Sequence, residues 1–271
     1  MPLVSVIIPT WNRKESLKRA IDSVLLQEGV SLEILVCDDG STDGTVEMLL
    51  ALPDPRIRFI AGSRGGRPAI PRNKGIKAAS GEWLAFLDDD DEWLPGKLNT
   101  QLAFAKKKGY WAVTTNALRK IPKQEKSLPY HTVDIPECCD FKTLLSTNFV
   151  ITSSVIVHSS LFKRSKGFPE SKKLIVGEDY ALWLRVSSMF PFGYINEPQI
   201  LYTDIPSQSI RRFSEHGNKT QVRVYCNWIF WAKLGVLSNN GFMLLKELCS
   251  MLVPNKIYRI ICCLLRKTKT S

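Results

Sequence analysis

The chain has 271 residues, enough for one large α/β domain with an appendage or for two small domains. With 44% hydrophobic and 23% charged residues it has the composition of an ordinary folded protein, which argues against disorder and repeat architectures. The net charge of +11 is uneven, because residues 210–271 hold eleven Lys/Arg against two Asp/Glu. This basic tail is expected to meet an anionic partner, either phospholipid headgroups or nucleic acid.

Cysteine usage and the lack of targeting signals predict a reduced, cytoplasmic protein. The seven cysteines form no C-x-x-C pair, and the adjacent pairs Cys138–Cys139 and Cys262–Cys263 suit neither a disulfide framework nor a zinc site. The N-terminus lacks the basic region of a signal peptide. No stretch reaches the roughly 18 apolar residues of a membrane span. We therefore expect a soluble or peripheral protein.

Strands and helices alternate over residues 1–115. Apolar runs predict strands at 3–9, 32–37, 57–61 and 82–87, and helical periodicity predicts helices at 15–27, from 43 onward, at 70–79 and after Pro95 as far as Gly109. This alternation predicts a mostly parallel sheet whose ligands bind at the carboxyl ends of its strands. Residues 119–140 are predicted to form a connection without regular structure. Further strands are expected at 153–157 and 199–202, a helix at 180–188, and helices beyond 210.

Polar and acidic residues follow three of the four predicted strands. These segments are Pro9-Thr10-Trp11-Asn12-Arg13, Asp38-Asp39-Gly40-Ser41 and Asp88-Asp89-Asp90-Asp91-Glu92. Four consecutive aspartates repel one another unless a cation lies among them, and hard oxygen ligands suit Mg²⁺ or Mn²⁺. The alternative is a solvated acidic turn ahead of the next helix.

Basic residues lie between the acidic segments in sequence. They are Arg64, Arg67, Arg72 and Lys74, within SRGGRPAIPRNKG. A divalent cation, flexible glycines and arginines at one edge of a sheet are typical of a diphosphate site. Neither a G-x-G-x-x-G nor a G-K-[ST] motif occurs, so this is not a Rossmann or P-loop site.

A second acidic pair, Glu178-Asp179, stands at the start of the helix predicted at 180–188. One interpretation is a first-turn acid that the helix dipole stabilises. The other is a carboxylate that acts as general base toward a hydroxyl. The sequence of this segment alone leaves both open.

Several of these segments together resemble glycosyltransferase family 2. The resemblance rests on PTWNR, VCDDGSTDGT, PRNKGIKAASGEWLAFLDDDDEWLPGKL and GEDYALWLR, and it runs to about Tyr202. It implies a GT-A fold, an α/β architecture in which a mostly parallel nucleotide-binding sheet is flanked by helices. It also implies inverting transfer of a single sugar from a nucleotide-diphosphate donor, most commonly a UDP-sugar, to an acceptor hydroxyl.

The resemblance implies roles for individual residues. Donor-binding residues would be Pro9, Thr10, Asn12, Arg13, Asp38, Asp39, Arg72, Asp88 and Asp89. Asp88 and Asp90 would hold Mn²⁺ or Mg²⁺, Asp179 would be the catalytic base, and Glu178 would orient the acceptor. Departures from the family pattern fall in the donor loop, at Ser63-Arg64-Gly65-Gly66 and at Pro71. His216 follows the family region, where related enzymes can carry a lid that contacts pyrophosphate.

The predicted organisation has two parts. Residues 1–209 form the catalytic domain, with a nucleotide-sugar half (1–115) and an acceptor-side half (116–209), and residues 210–271 form a helical basic extension. When residues 256–267 are projected as a helix, the apolar side chains lie on one arc and most of the cations on the opposite side. This pattern predicts an interfacial helix on an anionic membrane. A helix pair packed on the catalytic domain is the alternative.

The resulting hypothesis is a peripheral enzyme on the cytoplasmic face of the cell membrane. Its acceptor would be a glycan, in particular a lipid-linked one used in O-antigen or capsule synthesis, and it would bind no nucleic acid. Two other classes stay open. One is a different Mg²⁺-dependent phosphoryl- or nucleotidyl-transfer enzyme, and the other is a non-catalytic adaptor at the membrane surface.

Overall fold

The computed structural model describes residues 3–120, 127–203 and 217–232. Within these residues ten strands form one sheet. They are β1 (Val4–Thr10), β2 (Leu32–Asp38), β3 (Ile57–Ile60), β4 (Trp83–Phe86), β5 (Glu92–Trp93), β6 (Ala112–Lys120), β7 (Leu128–Pro129), β8 (Cys138–Cys139), β9 (Ile156–His158) and β10 (Phe192–Thr203).

Helices cover both faces of this sheet. They are α1 (Lys14–Leu25), α2 (Thr45–Leu50), α3 (Ala69–Ala78), α4 (Lys97–Lys108), α5 (Phe141–Ser146), α6 (Ser159–Ser165), α7 (Glu178–Met189) and α8 (Gly217–Trp231). Every residue of β1 and β2 is buried. Successive side chains of β1 enter different cores, with Ile7 on one face and Val6 and Ile8 on the other. Burial on both faces explains why these strands are continuous apolar runs.

The strand order is β3-β2-β1-β4-β9-β6-β10-β5, with β7 beside β6 and β8 beside β10. The first four strands are parallel, as predicted, and their carboxyl ends meet at one edge. β9 is antiparallel to both β4 and β6, and β10 pairs in parallel with β6. Because β9 lies between β4 and β6, strands from the second half of the chain contribute to the same edge of the sheet.

Helix α3 lies unusually close to the sheet because its sequence has a glycine at the point of contact. A Cβ atom on Gly75 would lie 2.6 Å from the Cys37 sulfur and 2.8 Å from a methyl group of Ile7. Any side chain there would force the helix away from β1 and β2. The contact fixes the position of Arg72, one turn earlier on the same helix.

Two expectations about the second half were wrong. Residues 119–140 are not without regular structure, since β6 extends to Lys120 and β7 and β8 pair with β6 and β10. The strand expected at 153–157 begins only at Ile156, after a 3₁₀ turn over Thr152–Ser154. The Ser154 hydroxyl donates to the Ile151 carbonyl at 2.8 Å, a local bond that competes with strand pairing.

Helix α8 packs on α7 through buried Val224, Tyr225 and Trp228. The predicted interfacial helix at 256–267 and His216 lie outside the described residues, and the domain boundary at 209/210 stays a prediction. No helix in the described part of the chain combines the length and apolar character needed to cross a membrane.

Candidate active site

The four aspartates after β4 occupy two kinds of environment. Asp89 and Asp91 are buried, whereas the side chains of Asp88 and Asp90 are 31% and 35% exposed. The Thr10 hydroxyl donates to Asp89 Oδ2 at 2.8 Å. Arg13 Nη1 donates to Asp89 Oδ1 at 2.9 Å and to Asp90 Oδ2 at 2.5 Å. The segment after β1 is thereby joined to the acidic turn after β4.

The same turn is anchored from the opposite side through Asp91. The Ser153 hydroxyl donates to Asp91 Oδ2 at 2.5 Å, and the Thr203 N–H donates to Asp91 Oδ1 at 2.8 Å. Ser153 Oγ also accepts from the Asp88 N–H at 3.1 Å. Both oxygens of Asp89 and of Asp91 therefore accept from protein donors. Asp88 and Asp90 each accept from one arginine but stay partly exposed, and in this sense they are the open carboxylates of the turn.

Burial of so many carboxylates raises their pKa values. Burial, with Asp90 adding to it and Arg13 opposing it, raises the pKa of Asp89 to about 7. Burial also raises the pKa of Asp90, and it raises that of Asp91 well above its ordinary value. Burial disfavours the charged form of each carboxylate, and repulsion from neighbouring aspartates adds to this effect. A divalent cation held among them would oppose both effects.

The residues present fit a cation that is shared with a ligand. No cluster of three or more acidic, histidine or cysteine side chains with the geometry of a metal site occurs among the described residues. The open carboxylates of Asp88 and Asp90 are two candidate ligands. Mg²⁺ in proteins is commonly held by one or two carboxylates and completed by substrate phosphates and water.

Arg72 links the acidic turn to helix α7. Its Nη2 donates to Asp88 Oδ1 at 2.6 Å and its Nη1 to Glu178 Oε1 at 3.0 Å, and the guanidinium is buried over the ring of Phe168. Sequence reasoning expected Arg72 beside a diphosphate. In the structure it bridges two carboxylates that are 90 residues apart in the chain, and its role toward a diphosphate stays a prediction.

The acidic pair that begins α7 is divided between the interior and a cavity. Glu178 is buried, and burial, increased by Asp179 and opposed by Arg72, raises its pKa to about 8. Asp179 is only half-buried and accepts from the Thr152 hydroxyl at 3.2 Å and from the Tyr180 N–H at 2.7 Å. Together with Asp88 it lines a cavity of about 90 Å³. Of the pair, Asp179 is the one available to a bound molecule.

The predicted nucleoside side is a network of loops around the ends of β1 and β2. Asp38 accepts from the N–H groups of Gly40 and Ser41, both at 2.9 Å. Asn12 has a left-handed backbone (φ 51°), and it accepts from the Thr42 N–H at 2.7 Å while its own N–H donates to Ser41. These bonds hold the two loops together.

Asp39 is turned toward the donor loop. It accepts from the N–H groups of Gly65 at 2.8 Å and Gly66 at 2.9 Å, and it pairs with Arg64. The Arg64 guanidinium lies 3.5 Å from the centre of the Trp11 ring. Arg64 therefore covers the surface where the resemblance places the nucleoside.

The basic residues of this segment do not gather at one point. Arg64 pairs with Asp39, Arg67 donates to the Glu170 carbonyl at 2.6 Å, and Arg72 bridges Asp88 and Glu178. Pro9 is buried within β1 beside Cys37 of β2. Sequence reasoning missed Thr152 and Ser153, whose hydroxyls orient Asp179 and Asp91. Their signal was a run of hydroxyl residues, which favours a turn over a strand.

With this geometry established, comparison with known proteins identifies the family. The sequence model described as "Glycosyl transferase family 2" matches residues 5–166. The chain belongs to glycosyltransferase family 2. Its sequence is 31% identical over 189 residues to the Escherichia coli UDP-Glc:alpha-D-GlcNAc-diphosphoundecaprenol beta-1,3-glucosyltransferase WfaP, which covers 69% of this chain and 71% of that protein.

Two other relatives are similar to this chain over different spans. The succinoglycan biosynthesis protein ExoO of Rhizobium meliloti is 34% identical over 194 residues, 67% of this chain but only 55% of ExoO. The chain thus spans about half the length of that relative. The GalNAc(5)-diNAcBac-PP-undecaprenol beta-1,3-glucosyltransferase of Campylobacter jejuni is 32% identical over 238 residues, 86% of this chain and 74% of that protein.

Solved structures confirm the GT-A fold. S. aureus TarS 1–349 in complex with UDP-GlcNAc superposes with a TM-score of 0.72 at 18% identity, covering 92% of this chain and 71% of that one. The mannosyltransferase PcManGT from Pyrobaculum calidifontis, in complex with GDP-Man and Mn²⁺, gives a TM-score of 0.61 at 17% identity and covers 100% of this chain and 81% of that one.

The raised pKa of Glu178 predicts a pH-dependent stability. The folded protein holds a proton on Glu178 up to about pH 8, whereas the unfolded chain releases it near its ordinary pKa of 4.5. The folded state binds more protons in this interval, so the free energy of unfolding should fall as pH rises from about 5 to 8. Glu178→Gln removes this titration. Between about pH 5 and 8, the free energy of unfolding of the variant should therefore rise relative to that of the wild type by on the order of 2 kcal/mol.

Urea unfolding in EDTA at several pH values between 5 and 8 measures the effect. Glu28→Gln is the matched control, because Glu28 is exposed and its loss should leave the pH slope of the wild type unchanged. If the free energy of unfolding of Glu178→Gln fell with pH as steeply as that of the wild type, the raised pKa of Glu178 would be contradicted.

Proposed function

We propose that this chain is an inverting glycosyltransferase that moves one sugar from a nucleotide-diphosphate donor, in particular a UDP-sugar, to a hydroxyl of a glycan acceptor. One observation carries the proposal, namely that Asp88 and Asp179 line the same cavity. A carboxylate that can accept a proton thus stands beside the acidic turn expected to hold the donor diphosphate. The buried Arg72 bridge fixes the relative position of the two elements.

On the donor side, Thr10, Asn12, Arg13, Asp38 and Asp39 would surround the nucleoside, and Asp88 and Asp89 would flank the ribose and diphosphate. The open carboxylates of Asp88 and Asp90 would hold Mn²⁺ or Mg²⁺. When bound, the cation would neutralise charge that develops on the departing nucleoside diphosphate. The Mn²⁺ in PcManGT supports a metal of this kind. Arg13, already in contact with Asp89 and Asp90, holds these carboxylates in place and opposes the rise in their pKa values that burial causes.

On the acceptor side, Asp179 would accept the proton of the acceptor hydroxyl. The Thr152 hydroxyl, 3.2 Å from Asp179 Oδ2, orients that carboxylate. The oxygen of the acceptor would attack the anomeric carbon opposite the leaving diphosphate. A single displacement inverts that centre, so an α-linked donor would give a β-linked product.

The names of the relatives support a lipid-linked acceptor. WfaP and the Campylobacter jejuni enzyme are named for glucosyl transfer to undecaprenol-linked sugars, and ExoO for succinoglycan biosynthesis. We therefore propose an acceptor of this class, in surface polysaccharide synthesis. Family membership and the Asp88–Asp179 geometry favour sugar transfer over the alternatives of phosphoryl transfer and a non-catalytic adaptor.

Asp90→Ala should lower sugar transfer by several orders of magnitude, because charge on the leaving diphosphate would no longer be neutralised. Asp22→Ala is the matched control, since it removes a half-exposed carboxylate of α1 whose ion pair is with Lys18. Release of nucleoside diphosphate from a panel of sugar nucleotides, with and without Mn²⁺, measures both variants. Full turnover in EDTA would contradict the metal role.

Asp179→Asn keeps the shape of the side chain but cannot accept a proton at neutral pH. We expect donor affinity to survive while kcat falls by roughly 10²–10⁴-fold, the usual contribution of a general base. Glu178→Gln is the paired control and should cost much less, because the buried Glu178 does not reach the cavity. Calorimetry with UDP and Mn²⁺ separates binding from turnover. Loss of nucleotide binding with normal turnover of the bound fraction would make Asp179 a structural residue.

We also propose that the basic extension docks the enzyme on an anionic membrane, where it would share a plane with a lipid-linked acceptor. Each cation near such a surface contributes on the order of 1 kcal/mol, and salt weakens it. In flotation assays the full chain should bind phosphatidylglycerol vesicles at low salt, and a chain that ends at Val253 should bind them much less. Equal binding by both would contradict the proposal.

A further inference from the structure

The 3₁₀ turn over Thr152–Ser154 connects the two acidic segments of the candidate site. The Thr152 hydroxyl donates to Asp179 at 3.2 Å, and the Ser153 hydroxyl donates to Asp91 at 2.5 Å. All three residues of the turn are buried. The position of the turn therefore determines where the hydroxyl that orients Asp179 lies relative to the aspartates after β4.

Two side chains from the segment that follows the acidic turn hold this 3₁₀ turn by its carbonyl groups. Trp93 Nε1 donates to the Ser153 carbonyl at 2.8 Å. Gln101 Nε2, from helix α4, donates to the Ser154 carbonyl at 2.8 Å and to the Val113 carbonyl of β6 at 3.3 Å. The amide of Gln101 thus joins the turn to a strand of the central sheet.

Lys97 determines which way the Gln101 amide faces. Its Nζ donates to Gln101 Oε1 at 2.6 Å and lies 4.2 Å from the centre of the Trp93 ring. With the amide oxygen held by Lys97, the amide NH₂ group is directed at the Ser154 and Val113 carbonyls. Lys97 and Gln101 are both fully buried, and burial lowers the pKa of Lys97 well below its ordinary value. Burying an amine is costly unless it is hydrogen-bonded, so each of these two side chains needs the other.

We propose that Gln101, oriented by Lys97, is a positioning residue for sugar transfer. By holding the Ser154 carbonyl it keeps the 3₁₀ turn in place, and with the turn the Thr152 hydroxyl that orients Asp179. Gln101 acts through the turn and takes no part in proton transfer itself. Displacing a reacting group by about 1 Å can cost on the order of 100-fold in rate, so a change at this buried amide should affect turnover. The inference rests on the proposed function, in which Asp179 is the base.

A second buried glutamine, Gln27, makes bonds of the same kind elsewhere in the fold. Its Nε2 donates to the Leu94 carbonyl at 2.9 Å, and its Oε1 accepts from the Leu98 N–H at 3.2 Å. These bonds hold the start of α4 and not the 3₁₀ turn. Gln27 and Gln101 therefore share burial and chemistry but hold different segments, so a comparison of the two separates positioning from a general contribution to stability.

Gln101→Met and Gln27→Met test the inference, because each keeps the approximate size of the side chain and removes the amide. Thermal unfolding first identifies a temperature at which both variants are folded. At that temperature, release of nucleoside diphosphate is followed in Mn²⁺ with the sugar nucleotide that the wild type turns over. Gln101→Met should lower kcat about tenfold or more while the KM for the donor changes little. Gln27→Met should leave both constants near their wild-type values.

Hydrogen exchange reports on the turn itself without any substrate. The Ser154 and Val155 N–H groups donate to carbonyls three residues earlier, at 2.9 and 3.1 Å. Gln101→Met should speed the exchange of these two N–H groups, because the turn would open more often once its outer support is lost. Gln27→Met should leave their exchange unchanged.

Two further variants identify the route of the effect. Thr152→Val removes the hydroxyl that Gln101 is inferred to position, so Gln101→Met should cost little further kcat in that background. Lys97→Met leaves the Gln101 amide free to turn and should also lower kcat selectively. It replaces a costly buried amine with an apolar chain of similar length, so it provides the same test if Gln101→Met does not fold.

Equal effects of Gln101→Met and Gln27→Met on kcat, unchanged exchange of the turn, or a loss that adds fully to that of Thr152→Val would overturn the inference. Gln101 would then only stabilise the fold. Asp179→Asn keeps the two proposals separate. If kcat collapses in Asp179→Asn but is normal in Gln101→Met, the inference falls while the proposed function stands. If Asp179→Asn turns over normally, or the wild type releases no nucleoside diphosphate from any sugar nucleotide, the proposed function itself fails and the inference with it.

Discussion

An excess of carboxylates at one edge of the sheet is the constraint on which the candidate site depends. Four consecutive aspartates and the Glu178-Asp179 pair converge there. Among the described residues, Arg13 and Arg72 are the cations that pair with these acids. Removing a carboxylate from water is costly unless it is paired or hydrogen-bonded. The surrounding elements therefore each contribute a donor, but burial still raises the pKa values of Asp89 and Glu178, and the neighbouring Asp90 and Asp179 add to the rise.

The compensating donors come from four separate parts of the chain. Arg13 follows β1, Arg72 lies on α3, Ser153 lies in the 3₁₀ turn, and the Thr203 N–H ends β10. Each element reaches the acidic turn only because the sheet aligns its end with that edge. The close approach of α3 to the sheet at Gly75 is needed for the same reason, because a helix displaced outward would move Arg72 away from Asp88. Core packing at Gly75 therefore also determines how the carboxylates at the site are compensated.

The sequence is informative about the first half of the sheet and much less about the second. β1, β2 and β4 are continuous apolar runs that end in polar segments, so their existence and their shared edge could be predicted. β6 could not be, because its buried Thr114, Thr115 and Asn116 resemble a loop. Thr114 is satisfied by the hydroxyl of Ser154, 40 residues away, at 2.6 Å. Likewise the partners of Arg72 depend on tertiary structure, and local residue patterns cannot reveal such pairs.

Adjacent acids in these motifs have divided roles, and the division follows from backbone geometry. Neighbouring side chains in a turn or at the start of a helix leave the backbone in different directions, so consecutive carboxylates are exposed to different extents. Asp89 and Asp91 are buried and bond to protein donors through both oxygens, while Asp88 and Asp90 each pair with one arginine and stay partly exposed. Glu178 pairs with Arg72 while Asp179 reaches the cavity. In each case the buried acid holds the element in place while its neighbour stays more exposed. A run of acids in sequence indicates such a site, but only the tertiary structure shows which acids are bonded within the protein and which stay accessible.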